Sequence, residues 1–279
     1  MFSSVLLTVD FDRTLTAPDS TVPQRNIDAI RDFTAKGGTF TVNTGRSIPM
    51  IAPYADRIPV NAPLLLYNGS AAYDWQRKEF AFAKEIDLPM WETIHALMEQ
   101  FPDMTVELQG VKAHYTFSEN KPWEAYCRHN GCPYDYAKPG DDVGPFLKIA
   151  IYGTFHDDTV AGLYTGTAEE MARMDEVERL LNEKYGAYCE VFRACPRIID
   201  LHAKGVSKAK IARYMQKELG KETLVCVGDG ENDIPMLSDA DAAFCPGDAI
   251  VKDRYENVCD CAEGAIADVI YKKIPLLVK

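Results

Sequence analysis

Residues 5–16 read Val-Leu-Leu-Thr-Val-Asp-Phe-Asp-Arg-Thr-Leu-Thr, an apolar run that ends abruptly in acidic residues. The run Val5–Val9 is short and rich in β-branched residues, which is typical of a strand buried on both faces of a parallel sheet. Asp10 and Asp12 follow at its carboxyl end, where ligands bind in open α/β sheets. Two carboxylates about 4 Å apart repel each other by about 4 kcal/mol at an effective dielectric near 20. A hard divalent cation with oxygen ligands would offset that repulsion.

A second run of the buried-strand type, Leu224–Val227, also ends in acidic residues. It is followed by the acidic loop 228–233, Gly-Asp-Gly-Glu-Asn-Asp. The glycines on both sides of Asp229 permit a tight turn that would bring its carboxylate to a shared ion. Pro235 fits the first turn of a following helix, because a missing N–H costs nothing there. The pattern therefore predicts two strand ends that share one cation.

Two further polar segments lie where predicted elements begin or end. The strand at 39–42 runs into residues 43–46, Asn-Thr-Gly-Arg, and Lys208 opens a helix with Ser207 as its N-cap. Taken in chain order, the segments that contain Asp10, Thr44, Lys208 and Asp229 resemble the four motifs of the haloacid dehalogenase superfamily of phosphohydrolases, in its Cof-type (IIB) branch. The large insertion between the Thr44 segment and the Lys208 segment matches as well. The resemblance covers the whole chain, and four ordered motifs are more specific than any one of them.

The resemblance implies a role for each principal residue. Asp10 would be the nucleophile that forms an aspartyl-phosphate, and Asp12 would be the general acid and then the base. The Asp10 carboxylate, the Asp12 backbone carbonyl and Asp229 would bind Mg²⁺. The Thr44 hydroxyl would bind a phosphate oxygen, and Lys208 would neutralise Asp10 and the transferred phosphoryl group.

Four other residues are predicted to support this site. Asn232 and Asp233 would orient waters on the metal. Asn68 and Gly45 match family positions near the substrate phosphate. Asp233 has an ordinary alternative, because it could simply cap the helix that follows it.

Thr44 and Lys208 also have ordinary alternatives. Thr44 could be a turn residue without a ligand. Lys208 could be a solvated lysine at a helix start, and Lys204 and Lys210 are rivals for its role. Lys208 is preferred because Gly-Val-Ser-Lys matches the family pattern.

Two arginines are predicted as possible substrate contacts. Arg13 stands where the family usually has glycine, and its long cation would reach toward the insertion or the substrate. Arg46 either meets the substrate or the insertion, or is a surface arginine. The sequence does not separate these alternatives.

Alternating strands and helices predict an α/β fold with a Rossmann-like, doubly wound parallel-sheet core. Residues 1–83 and 196–279 would form this core, with Ile198–Leu201 returning to its sheet. Residues 84–195 would form an inserted α+β cap domain, because strands outnumber helices there. The elements predicted in the cap are helices at 90–101 and 168–185 and strands at 104–107, 113–117, 146–152 and 188–192.

Composition limits the partners and the compartment. The chain has 279 residues, and its 47% hydrophobic residues provide for a sizeable core. Its net charge of −12 argues against nucleic acid or an anionic membrane as a partner. It shows no N-terminal signal pattern and no run of about 20 apolar residues. The eight cysteines fit no disulfide scaffold, so a cytoplasmic protein is predicted. Cys127 and Cys132 could form half of a zinc site, but no second pair has convincing spacing.

The favoured prediction is a Mg²⁺-dependent phosphatase of small phosphorylated metabolites, with sugar phosphates as the first class. A cap suits small substrates because its closure excludes water and macromolecules. A phosphosugar mutase would use the same aspartyl-phosphate, and a signalling receiver would hold phosphate on Asp10 as a switch. Either a monomer or a homodimer is expected. The side chains considered as cap contacts for the substrate are Tyr115, Trp123, His129 and Arg193.

Overall fold

The computed structural model describes residues 1–156 and 161–278. The strands are β1 (Val5–Val9), β2 (Thr39–Val42), β3 (Leu64–Leu66), β4 (Ala71–Asp74), β5 (Glu79–Ala83), β6 (Thr105–Gln109), β7 (His114–Thr116), β8 (Tyr134–Tyr136), β9 (Lys148–Tyr152), β10 (Cys189–Cys195), β11 (Ile198–Ala203), β12 (Thr223–Val227), β13 (Ala242–Cys245) and β14 (Glu256–Asn257). The helices are α1 (Gln24–Ala35), α2 (Ile48–Ala55), α3 (Met90–Gln100), α4 (Lys121–His129), α5 (Ala168–Tyr185), α6 (Lys208–Glu218), α7 (Ile234–Asp239), α8 (Ala265–Asp268) and α9 (Ile274–Leu277). Within these two ranges, no helix combines the length and the apolar character that crossing a membrane requires.

The chain divides into two compact units. The first contains residues 1–45, 54–82 and 207–279, and the second contains residues 46–53 and 83–206. Five parallel strands form the main sheet of the first unit, in the order β14-β13-β12-β1-β2. Every residue of β1 is buried, as expected for a strand covered on both faces. The predicted α/β core with a parallel sheet is confirmed.

Apolar helix faces pack against this sheet. Leu6 of β1 lies in a buried cluster with Ile211 and Met215 of α6 and with Leu237 of α7. Helix α1 buries Ile27, Ile30 and Phe33, whose three-residue spacing places them on one helix face.

The order of the strands decides which polar residues become neighbours. Asp10 follows β1, and its N–H donates to the carbonyl of Val227 at the end of β12 (2.8 Å). Asn43 follows β2, and its N–H donates to the carbonyl of Val9 (2.8 Å). The carboxyl end of β1 therefore lies between the ends of β12 and β2, and the residues after these three strands share one edge of the sheet.

Strand β3 lies beside the residue that follows β2. A parallel bridge joins Leu65 to Asn43, and β3 pairs antiparallel with β4. After β3 the chain turns through Tyr67, Asn68 and Gly69, whose φ angles are 53°, 53° and 98°. Asparagine and glycine tolerate this left-handed region, whereas tyrosine rarely adopts it. The turn brings Asn68 back beside the end of β2.

The second unit contains a six-stranded sheet in the order β10-β11-β9-β6-β7-β8. Its pairings are antiparallel apart from that of β7 with β8. Helices α3 and α5 pack against it in an apolar cluster that includes Leu97, Leu181 and Ile149. This is the α+β unit that the sequence predicts, although α4 and β8 are not among the predicted elements.

One predicted strand is assigned to the wrong sheet. The run 198–201 is part of β11, which pairs with β9 and β10 in the second unit instead of returning to the parallel sheet. The second unit accordingly extends to Val206, and it also includes residues 46–53. A short apolar run predicts a buried strand but carries no information about its neighbours, because pairing is a long-range property.

Candidate active site

Three carboxylates meet at the carboxyl ends of β1 and β12. Asp10, Asp229 and Asp233 each offer an oxygen atom, and these atoms lie within 4.8 Å of one another. The three residues are 6%, 9% and 0% exposed. In residues 1–156 and 161–278 this is the only group of three acidic, histidine or cysteine side chains arranged to hold a metal ion.

Lys208 lies between two of these carboxylates. Its Nζ donates to Asp10 Oδ1 at 2.5 Å and to Asp233 Oδ1 at 2.7 Å. Burial alone would lower the pKa of Lys208, but the two carboxylates raise it above its ordinary value. The ammonium group therefore stays protonated at neutral pH and offsets part of the acidic charge.

Local structure places Lys208 at the start of α6. The Ser207 side chain caps this helix by accepting a hydrogen bond from Lys210 N–H (3.2 Å), as the sequence predicts. Of the two rival lysines, Lys210 is exposed and Lys204 lies 3.5 Å from Glu190. Among these three lysines, Lys208 is the one that the structure brings to the acidic cluster.

Asp233 holds the acidic loop together. Its Oδ2 accepts hydrogen bonds from the N–H groups of Asp229 and Gly230, both at 3.1 Å. Its side chain makes no capping hydrogen bond to α7 itself, but it caps the short helical turn Glu231–Asp233 that precedes α7 through Gly230 N–H. Asn232, in contrast, is exposed, and the structure does not place it among the buried carboxylates.

Sequence reasoning missed two polar residues that support the cluster. Thr14 is fully buried, and its hydroxyl donates to Asp229 Oδ1 (3.1 Å). Asn43 is fully buried, and its Nδ2 donates to the backbone carbonyl of Lys208 (2.8 Å). Each position carried a signal, because Thr14 lies in the first motif and Asn43 is a polar residue directly after a buried strand.

The turn after β2, with Thr44 and Gly45, packs closely against Asn68 in the turn after β3. The Thr44 carbonyl accepts a hydrogen bond from Asn68 N–H (3.1 Å). A Cβ atom added at Gly45 would lie 2.7 Å from Asn68 Oδ1, and one at Gly69 would lie 2.4 Å from the carbonyl oxygen of Ser207. Glycine at these two positions allows the backbones to approach closely. The turn after β3 therefore lies against Ser207, which precedes Lys208.

The group of three buried carboxylates does not include Asp12. Asp12 and Arg13 are exposed on a helical turn that spans Phe11–Leu15. Arg46 belongs to the second unit, where its Nη1 donates to the carbonyl of Met50 (3.2 Å).

The four residues that were considered as cap contacts lie on the second unit. Trp123 is fully buried, and Arg193 contacts Glu178 (2.8 Å). Tyr115 belongs to the apolar cluster of the second unit, and His129 is exposed at the end of α4. Trp123, Tyr115 and Arg193 therefore have structural roles that account for their positions.

Burial and like charge act together on the carboxylates. Desolvation raises the pKa of Asp10 well above its ordinary value, Lys208 partly offsets this, and Asp233 and Asp229 add to it. Desolvation and Asp233 raise the pKa of Asp229 to about 6. Three carboxylates face one ammonium group, so the cluster has an excess of negative charge. Oxygen ligands with this excess charge fit a hard divalent cation such as Mg²⁺.

The cysteine pair considered as half of a zinc site gains no support. The described residues offer no group of three metal-binding side chains that includes Cys127 or Cys132. Burial raises the pKa of both thiols above their ordinary value, which disfavours the thiolate that zinc requires.

Arg13 occupies a backbone conformation that favours glycine. Its φ is 57° and its ψ is 12°, and left-handed geometry costs roughly 1–2 kcal/mol for residues other than glycine. Its positive charge slightly offsets the rise in the pKa of Asp229 that burial and Asp233 cause. Glycine would adopt this turn geometry without the strain that Arg13 incurs.

Replacing Arg13 by glycine is expected to stabilise the protein by about 1 kcal/mol, because the backbone strain is relieved. A thermal melt in the presence of chelator measures this change. Ser20→Gly is the matched control, because Ser20 also has a positive φ (64°). If Arg13 contacts the substrate, Arg13→Gly raises KM while Ser20→Gly does not. Unchanged kinetic parameters in Arg13→Gly would exclude that contact.

The whole sequence identifies the family to which this site belongs. A family model described as haloacid dehalogenase-like hydrolase matches residues 7–270. The chain belongs to this family. The match confirms the resemblance seen in the four motifs, and it makes the protein a haloacid dehalogenase-like hydrolase.

Relatives and solved structures agree with this assignment. The hydrolase is 24% identical over 263 residues to a 5-amino-6-(5-phospho-D-ribitylamino)uracil phosphatase of Bacillus subtilis, covering 91% of this chain and 89% of that protein. It is 22% identical over 284 residues to a pyridoxal phosphate phosphatase of Escherichia coli, covering 96% and 98%. A haloacid dehalogenase-like hydrolase from Bacteroides thetaiotaomicron shares its fold, with a TM-score of 0.78, 22% identity and coverage of 95% and 97%.

Proposed function

We propose that this phosphoric monoester hydrolase is a Mg²⁺-dependent phosphatase of small phosphorylated metabolites that acts through an aspartyl-phosphate on Asp10. One observation carries the proposal: the buried Lys208 bridges Asp10 and Asp233, with the Asp229 carboxylate beside them. This arrangement combines a carboxylate nucleophile, a fixed positive charge and an acidic metal site. These are the parts that phosphoryl transfer needs.

The metal site is proposed to consist of the Asp10 and Asp229 carboxylates and the backbone carbonyl of Asp12. When bound, Mg²⁺ supplies positive charge that stabilises the phosphoryl oxygens. Thr14 and Asp233 hold Asp229 in place through the side-chain and backbone hydrogen bonds of the acidic loop.

The reaction is proposed to proceed in two displacements at phosphorus. An Asp10 oxygen forms a bond to phosphorus while the bond to the ester oxygen breaks, and Asp12 gives a proton to that leaving oxygen. Asp12 then removes a proton from water, which attacks the aspartyl-phosphate, releases phosphate and restores the Asp10 carboxylate. Lys208 stays protonated throughout, while Thr44 and Asn68 orient the phosphoryl oxygens.

The substrate class is tested with a panel of phosphate esters. Sugar phosphates are the first class to test, and the two curated relatives add phosphorylated ribitylaminouracil and pyridoxal phosphate to the panel. The test measures phosphate release from this panel with Mg²⁺ and with chelator. Metal-dependent release supports the proposal, and the ranking identifies the substrate class. Interconversion of hexose phosphates without phosphate release would instead favour a mutase, and stable phosphorylation without turnover would favour a receiver.

Removing the charge of Asp229 is expected to stabilise the metal-free protein at neutral pH. Its folded-state pKa of about 6 lies above its ordinary value of 3.8, so the folded chain binds more protons than the unfolded chain between these values. Stability is therefore lost as the pH rises from about 4 through 6. Asp229→Asn should raise the free energy of unfolding at about pH 7.5 by about 3 kcal/mol, since the pKa rises by about two units and one pKa unit is worth about 1.4 kcal/mol.

Chemical unfolding with chelator at several pH values measures this effect. Mg²⁺ should raise the melting temperature of the native chain more than that of Asp229→Asn, because the variant lacks a ligand. Asp253→Asn is the control, because Asp253 is exposed. An Asp229→Asn protein that gains no stability at neutral pH, or that responds fully to Mg²⁺, would contradict the proposed metal site.

A further inference from the structure

A serine, a histidine and a glutamate form a buried chain of contacts in the second unit. Ser47 Oγ lies 2.7 Å from His114 Nε2, and His114 Nδ1 lies 3.2 Å from Glu107 Oε1. The three residues are 0%, 2% and 0% exposed. Ser47 directly precedes α2, whereas Glu107 and His114 lie on β6 and β7 of the six-stranded sheet.

Glu107 is held as a carboxylate. Burial alone would raise its pKa, but His114 and hydrogen bonds from Trp123 and Gln109 lower it below its ordinary value. Trp123 Nε1 donates to Oε2 at 2.6 Å, and Gln109 Nε2 and Tyr152 OH donate to Oε1 at 2.8 and 2.9 Å. A buried carboxylate with this many donors is a rigid, negatively charged anchor.

The anchor determines how His114 faces Ser47. His114 Nδ1 makes no hydrogen bond to the Glu107 carboxylate, so this contact is electrostatic, and it favours the tautomer that carries its proton on Nδ1. With that tautomer, the Ser47 hydroxyl donates a hydrogen bond to Nε2. Ser47 Oγ in turn accepts the N–H of Met50 in the first turn of α2 (3.4 Å).

The same series of contacts, from serine to histidine to carboxylate, occurs in serine hydrolases, where the histidine activates the serine. Here the serine is fully buried and its oxygen caps a helix. A nucleophile needs access to its substrate, so the chain of contacts is better suited to hold Ser47 in place.

We propose that His114 is a positioning residue that fixes the phosphate-binding loop through Ser47. Only Gly45 and Arg46 separate Ser47 from Thr44 in the sequence. On its other side Thr44 is fixed by its own N–H, which donates to the carbonyl of Leu65 (2.9 Å). Restraining Ser47 therefore holds the second end of a four-residue loop whose first end is already held.

This inference rests on the proposed function, in which the Thr44 hydroxyl binds the substrate phosphate. Displacement of a binding group by about 1 Å can cost on the order of 100-fold in rate. Loss of the His114 restraint is expected to weaken the binding of phosphate and phosphate esters by about 10-fold. Because Asp10 and Asp229 are held by other contacts, the concentration of Mg²⁺ that gives half-maximal activity is expected to stay unchanged.

The test compares Ser47→Ala, His114→Phe and the double variant. The affinity for inorganic phosphate is measured by calorimetry in Mg²⁺, and KM and kcat are measured on the best substrate of the panel. Both single variants should lose about 10-fold in phosphate affinity. The loss of phosphate affinity in the double variant should equal the larger of the two single losses, because both substitutions break the same series of contacts. His114→Gln should restore most of the affinity, since its amide can take the place of Nε2.

His95→Phe is the matched control, because the His95 side chain is 75% exposed on α3 of the same unit. Ser47→Ala removes a single oxygen atom and keeps the test available if His114→Phe does not fold. Phosphate affinity within about twofold of the native chain in folded Ser47→Ala would overturn the inference, as would additive losses in the double variant.

Calorimetry separates this inference from the proposed function because it needs no turnover. A native chain that binds phosphate but hydrolyses no ester would refute the phosphatase and still allow the comparison of variants. A native chain that neither binds phosphate nor hydrolyses esters would overturn both.

Discussion

Asp10→Asn is expected to reduce kcat by at least about 1,000-fold on every substrate, because an amide cannot form the acyl-phosphate. The variant should fold, since its amide oxygen can still accept the hydrogen bond that Lys208 donates to Asp10 Oδ1. Metal-dependent phosphate release measures the loss. Mass spectrometry of the acid-quenched native protein should detect phosphate on Asp10, and that of the variant should not.

Asp253→Asn is the control for this experiment, because it makes the same chemical change at an exposed position. Its turnover should match that of the native chain. Turnover by Asp10→Asn at more than a few per cent of the native rate would exclude a covalent role for Asp10. Phosphate would then be transferred directly to water.

Lys208→Met is expected to lower both activity and stability. Its ammonium group is the one cation that contacts both Asp10 and Asp233 in the described part of the chain. Removing one partner of a buried ion pair costs about 3–5 kcal/mol, because the other charge is left without compensation. Loss of a group that stabilises charge in the transition state should also reduce kcat by about 100- to 1,000-fold.

Two further variants separate catalysis from folding. Lys210→Met changes an exposed lysine on the same helix and should leave activity and stability unchanged. The double variant Lys208→Met/Asp233→Asn removes one unpaired buried charge, so it should recover part of the stability but none of the activity. A Lys208→Met protein that retains native kcat would contradict the role of this lysine in phosphoryl transfer.

The strongest sequence predictions rest on local patterns. The strand ending at Val9, the helix beginning at Lys208 and the turn around Asp229 each follow from apolar runs, capping residues and glycines within a few positions. Such features depend on residues that are close together in the sequence, so they can be predicted from a single sequence. The order of the four motifs then indicated the family, which the match over residues 7–270 confirms.

The tertiary structure decided what depends on distant neighbours. It brought Lys208 to Asp10, brought Thr14 to Asp229, and placed the strand that begins at Ile198 in the second sheet.

The contact of Ser47 with His114, 67 positions apart in the sequence, has no local signal either. The sequence by itself thus determined the elements and the chemical groups at their ends. Only the fold decided which groups meet, because strand order and side-chain contacts join residues that local patterns cannot relate.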